Sequence, residues 1–142
     1  MSKINKGRVF LGGLVAGLVL NILDCLVDWA IIGEGWAKAM TNLDLHPPEN
    51  LLVAASIVIC FLIGIFIVWL YAAIRPRYGP GPKTAIISGL AVWFICWLIG
   101  WGSTAFIVYP CELVRVVIVA GLVEAVVAAL AGGWVYKENE IG

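Results

Sequence analysis

GLVAGLVLNILDCLVD, running from Gly13 to Asp28, lies inside an apolar run long enough to cross a bilayer, yet it carries Asn21, Asp24 and Asp28. At 100° per residue, Gly13, Gly17, Asn21, Asp24 and Asp28 fall within a wedge of roughly 80°. They form one face of one helix. At its glycine end another backbone can approach closely; at its acidic end the face places carboxyls where hydrocarbon makes them costly. A neighbouring helix or a ligand has to meet those acids.

Of the 142 residues, 63% are hydrophobic and 13% charged, and the mean hydropathy is +1.03. A water-soluble domain of this size could not cover so much apolar surface, so lipid is the solvent. Lys3, Lys6 and Arg8 precede the first apolar run like the basic region of a signal peptide. That run continues to about Ile32, too far for a cleaved leader, and is expected to be a retained span. Nothing is left over for a soluble domain, so residues 1–142 are expected to form a single integral membrane domain. Cys25, Cys60, Cys96 and Cys111 include no Cys-x-x-Cys pair and read as small buried packing residues.

Apolar runs occupy roughly 9–33, 51–74, 84–108 and 111–135, each close to the ~20 residues that span ~30 Å of hydrocarbon. The expected fold is all-α: a four-transmembrane-helix bundle of antiparallel, up-down topology. Lys3, Lys6, Arg8, Arg75, Arg77, Lys83 and Lys137 fall on one side, and only Lys38 and Arg115 on the other. That bias puts both termini in the cytoplasm.

The connection from Glu34 to Asn50 carries Trp36, Met40 and Leu43 at helical spacing and is expected to be an interfacial half-helix, ended by Pro47 and Pro48. The segment RPRYGPGPKT, from Arg75, reads as a rigid basic loop suited to anionic headgroups. It lacks the strand and helix that a phosphate loop needs, so nucleotide binding is not expected there, and no nucleic-acid partner is expected. Trp29, Trp36, Trp101 and Tyr109 read as an outer aromatic belt, and Trp69, Tyr71, Tyr78, Trp134 and Tyr136 as an inner one. A shift of 72 residues lays GLVLNILDCLVDW, from Gly17, onto GLAVWFICWLIGW, from Gly89. This hints at a parallel repeat of two hairpins.

Asn21 and Glu124 both lie near the centres of their spans, so the expected level pairings are Asn21 or Asp24 with Glu124, and Asp28 with Arg115. Glu124 shares a small-residue face with Gly121, Ala128 and Gly132. Arg115 lies about half a turn from that face, and snorkelling toward Glu112 or lipid phosphate competes with its pairing to Asp28. Ser56, Cys60, Gly64 and Tyr71 share a face of span two. On span three, Gly89, Trp93, Cys96, Trp97, Gly100 and Thr104 do the same. Together these stripes would surround the acids with small polar groups and two indoles, and Trp93 and Trp97 could stack on a flat or cationic solute. The alternative for the indoles is packing; for the acids it is interhelical hydrogen bonding or subunit docking. His46 stands apart from any thiol or carboxylate cluster, so no metal site is expected. No nucleophile-base pair is visible, and neither catalysis nor a cofactor is expected.

Gly33-Glu34-Gly35-Trp36-Ala37-Lys38-Ala39-Met40, following a glycine-rich first span, resembles the small uncharacterised bacterial four-span membrane proteins. The resemblance implies a multi-pass protein of the bacterial inner membrane and brings no activity with it. Small multidrug exporters are a poorer match, because Glu124 adds a second buried acid. Membrane thiol oxidoreductases need paired outward cysteines, and membrane glutathione-dependent enzymes a polar second span. Two functions follow as expectations. In the first, a proton, cation or small cationic solute is bound or passed at Asn21, Asp24, Asp28 and Glu124. In the second, the chain is a non-catalytic accessory subunit, the acids holding a homo-oligomer or a larger membrane complex together.

Overall fold

The computed structural model describes residues 4–44 and 50–137, excluding the side chain of Thr104. It contains four helices, α1 (Lys6–Asn42), α2 (Asn50–Tyr78), α3 (Pro82–Val108) and α4 (Cys111–Val135), each long and apolar enough to cross a membrane. There is no strand among the described residues. The fold is therefore an all-α four-helix bundle of a small membrane protein.

Local signals explain where the helices stop. Asn5 caps α1, its side-chain oxygen accepting the Arg8 N–H at 3.1 Å. The open loop expected from Arg75 is much shorter than anticipated: α2 continues through Pro76 to Tyr78. Proline removes one intrahelical donor but keeps a helical φ, so a final turn survives it. Gly79 then ends the helix with a φ of 83°, its N–H donating to the Arg75 carbonyl at 2.8 Å. Pro82 opens α3, where a missing N–H costs nothing. The half-helix expected after Glu34 is present as Gly33–Asn42 and is joined to the rest of α1 through the π-helical residues Asp28–Ile32. Pro47, Pro48 and His46 lie outside the described residues.

α1 packs chiefly on α2 and α4, and α3 on α4. Helices in lipid gain little by excluding water and associate through close packing, and here glycine makes the approach. A Cβ on Gly64 would lie 2.6 Å from the Gly13 carbonyl oxygen, and one on Gly12 2.7 Å from that of Gly132. In the second hairpin, a Cβ on Gly89 would lie 2.8 Å from the Ala125 carbonyl oxygen. Gly17 and Gly89, superposed by the 72-residue shift, thus mark the tight crossing of their respective hairpins.

Around these crossings Leu20, Ile67, Val68 and Val92 are fully buried. Tyr71 and Tyr136, expected in an aromatic belt, instead close the core at the end nearest both termini. They are 4% and 3% exposed and meet edge to face at 5.9 Å. The Tyr71 hydroxyl accepts the Gly81 N–H at 3.2 Å, a partner that draws it inward. Trp29 and Trp134, both 84% exposed, face the surroundings as belt residues do. Beyond Leu20, α2 draws away, every one of its residues from 51 to 59 being exposed, while α3 and α4 stay packed through Ala105, Val114 and Ile118.

Candidate functional site

Two interruptions of α-helical geometry border the opened half of the bundle. In α1, Asp28–Ile32 is π-helical, and in α3, Phe94–Trp101 is as well. A π segment bonds each N–H to the carbonyl five residues earlier, inserting a residue and turning every later side chain by up to ~100°. Glycine permits this crowding. A Cβ on Gly33 would lie 2.8 Å from the Asp28 carbonyl oxygen, and one on Gly100 3.2 Å from that of Ile95. The turn changes which residues face inward. On α3, Gly100 was expected on the bundle face but is exposed, while Gly102 and Ala105 are buried. The side chain of Thr104 lies outside the described set.

Between the helices lies a partly open cavity of about 680 Å³. Asp24, Asp28 and Trp36 of α1, Ser56 of α2, and Cys96, Trp97 and Trp101 of α3 line it. Trp36, expected at headgroup level, packs on other rings: its ring stacks 4.7 Å from Tyr109 and 6.3 Å from Trp101. The cavity therefore has carboxyls on one wall and indoles on another, and Trp36, which lines it, also stacks on Tyr109.

Glu124 of α4 is 4% exposed and lies within electrostatic reach of both Asp24 and Asp28. Cys60 of α2 lies within reach of Asp24 and Glu124. None of the three carboxyls makes a hydrogen bond or an ion pair among the described residues. Like charges four residues apart on a helix repel, and no basic side chain offsets Asp24 and Asp28. The expected pairing of Asp28 with Arg115 is absent: Arg115 is exposed, on the side of α4 turned away from Glu124. Asp24 and Glu124, expected to pair, share no hydrogen bond among the described residues.

Asn21 is interhelical glue. Its side-chain N–H₂ donates to the Gly17 carbonyl at 2.8 Å and to the Ile57 carbonyl of α2 at 3.4 Å. Trp93 also holds helices together, its indole N–H donating to the Ile118 carbonyl of α4 at 2.9 Å; it packs on the α3–α4 seam and does not face the acids with Trp97. Ser56 bonds the Val53 carbonyl of its own helix at 2.8 Å. Among the cysteines, Cys60 and Cys96 are half-buried, whereas Cys25 and Cys111 are exposed, contrary to the buried packing role expected for them.

Trp36 and Trp101 line the site, a role the sequence did not assign to them. The signal lay in the glycines: Gly33, Gly100 and Gly102 each stand five residues after a carbonyl they crowd, the spacing of a π-helical bond. The chain matches no protein-family model, no curated protein and no solved structure.

Proposed function

We propose that this membrane protein binds a monovalent cation or small cationic solute in the cavity between Asp24, Asp28 and the three indoles, and passes it in exchange for protons. One observation carries the reading: two carboxyls with no hydrogen-bond or ion-pair partner among the described residues share a cavity with Trp36, Trp97 and Trp101. Carboxylates attract a cation, and indole faces attract it again through their quadrupoles. A pocket of a few hundred Å³ with apolar walls and few polar groups suits a small organic molecule.

Glu124 supplies the exchange. Buried Glu124 and the exposed, cavity-lining Asp24 and Asp28 lie within electrostatic reach of one another, and like charges so placed attract protons or a positively charged solute. The two occupants exclude each other. Basic residues concentrated at the opposite end of the bundle support termini in the cytoplasm, so the cavity would open toward the outside.

Reconstitution into liposomes tests this reading. Under an imposed pH gradient, radiolabelled tetramethylammonium should enter as protons leave. Asp24→Asn and Glu124→Gln should fold normally and abolish that uptake. Uptake unchanged in both variants contradicts the proposal. No uptake by any form, with a co-purifying partner lost in Asp24→Asn, would replace it with the accessory-subunit reading.

A further inference from the structure

A second opening meets the same acids from another side. Between α1 and α2 a groove of about 620 Å³ is lined by Leu18, Cys25, Trp29, Val53, Ile57 and Phe61, and also by Asn21, Asp24, Asp28 and Ser56. Asp24, Asp28 and Ser56 thus line both the groove and the bundle cavity. The groove begins where the glycine crossing ends: Gly13 and Gly17 hold α2 close, Asn21 makes the last bond across, and above it α2 presents only exposed residues. Its outer rim is apolar, with Trp29 84% and Leu18 53% exposed. In a membrane-spanning bundle such a rim meets acyl chains.

We infer that the ligand is an alkylammonium amphiphile, its cationic head held at Asp24 and Asp28 under the indoles and its alkyl tail leaving between α1 and α2 into the bilayer. This rests on the cation-binding reading of the same cavity. A metal ion or proton would leave the indole wall and the apolar groove without a role. A purely hydrophilic cation would use the cavity alone. An amphiphile uses both, because carboxyls placed in the shared wall can grip the head while the tail remains in an apolar channel.

Tetramethylammonium and decyltrimethylammonium carry the same head and differ in the tail, so together they test the inference. Binding to the full chain in lipid nanodiscs is followed by tryptophan fluorescence, in the wild type, Val53→Trp and Leu18→Trp, each substitution filling the groove from a different helix. In the wild type, decyltrimethylammonium should bind at least about 100-fold more tightly than tetramethylammonium. Filling the groove should weaken the decyl compound by about ten-fold or more and leave tetramethylammonium within two-fold. The two variants guard against misfolding at either position, and retained tetramethylammonium binding reports an intact cavity. If groove filling leaves the decyl compound unaffected while Asp24→Asn abolishes tetramethylammonium binding, the inference falls and the cavity reading stands. If neither compound binds the wild type, both fall.

Discussion

Trp36 stacks on Tyr109 with ring centroids 4.7 Å apart and planes 27° apart, tying the end of α1 to the turn between α3 and α4. Trp36 also lines the acidic cavity, and the contact joins residues 73 positions apart in the sequence. It depends on the π segment at Asp28–Ile32, which turns the end of α1 toward α3.

Gly33→Ala is expected to break that relationship. Its Cβ would stand 2.8 Å from the Asp28 carbonyl oxygen, so the π turn must shift, at a cost of about 1–3 kcal/mol. Trp36 should leave its stack, with a changed near-ultraviolet dichroism and a weaker hold on tetramethylammonium. Gly35→Ala is the control, since its Cβ meets only a flexible Leu113 methyl at 3.3 Å. Equal spectra for the two variants would remove the π segment from the account.

The two central indoles should separate by function. Trp93→Phe loses the bond to the Ile118 carbonyl and should lower stability by about 0.6–1 kcal/mol, with cation affinity unchanged. Trp97→Phe should instead reduce affinity, because the indole face is the stronger cation–π partner. Titration of both variants by calorimetry checks this, and an identical affinity loss in the two would contradict the division.

Protons should compete with the cation. As pH falls, protons occupy Asp24, Asp28 and Glu124 and cation affinity should drop; as pH rises it should recover. In an Asp24→Asn, Asp28→Asn, Glu124→Gln variant the residual signal should be flat with pH. Affinity that rises toward low pH in the wild type would be the wrong sign.

Tight crossing of α1 and α2 is the structural foundation of the site. Gly64→Leu should prevent folding, since even a Cβ there would lie 2.6 Å from the Gly13 carbonyl oxygen. Gly64→Ala should destabilise by about 1–3 kcal/mol and Gly7→Ala hardly at all, since its Cβ would only touch Asn5 at 3.6 Å. Unfolding in mixed micelles measures all three; a fully stable Gly64→Leu would show that the helices do not cross there.

Much of this arrangement was legible in the chain. Four apolar runs, the small-residue faces and the common face of Asn21, Asp24 and Asp28 follow from helical periodicity, which lipid enforces because backbone groups have no other partner. Periodicity also sets the limit. It assumes 100° per residue, and the π segments break that phase, which is why Gly100 turned out exposed and Trp36 and Trp101 moved from a belt into the cavity. The part played by Trp93 depends on a bond to α4 that no single-helix pattern encodes. Burial of Tyr71 and Tyr136 likewise follows from packing between α2 and the end of α4.

The central claim is that Asp24 and Asp28 hold a cation. Isothermal titration of tetramethylammonium into the nanodisc-embedded protein tests it most directly, alongside a variant carrying both Asp24→Asn and Asp28→Asn and melting like the wild type. The account predicts one saturable site in the wild type and no binding heat in the variant. Equal heat and affinity in the two proteins would contradict it.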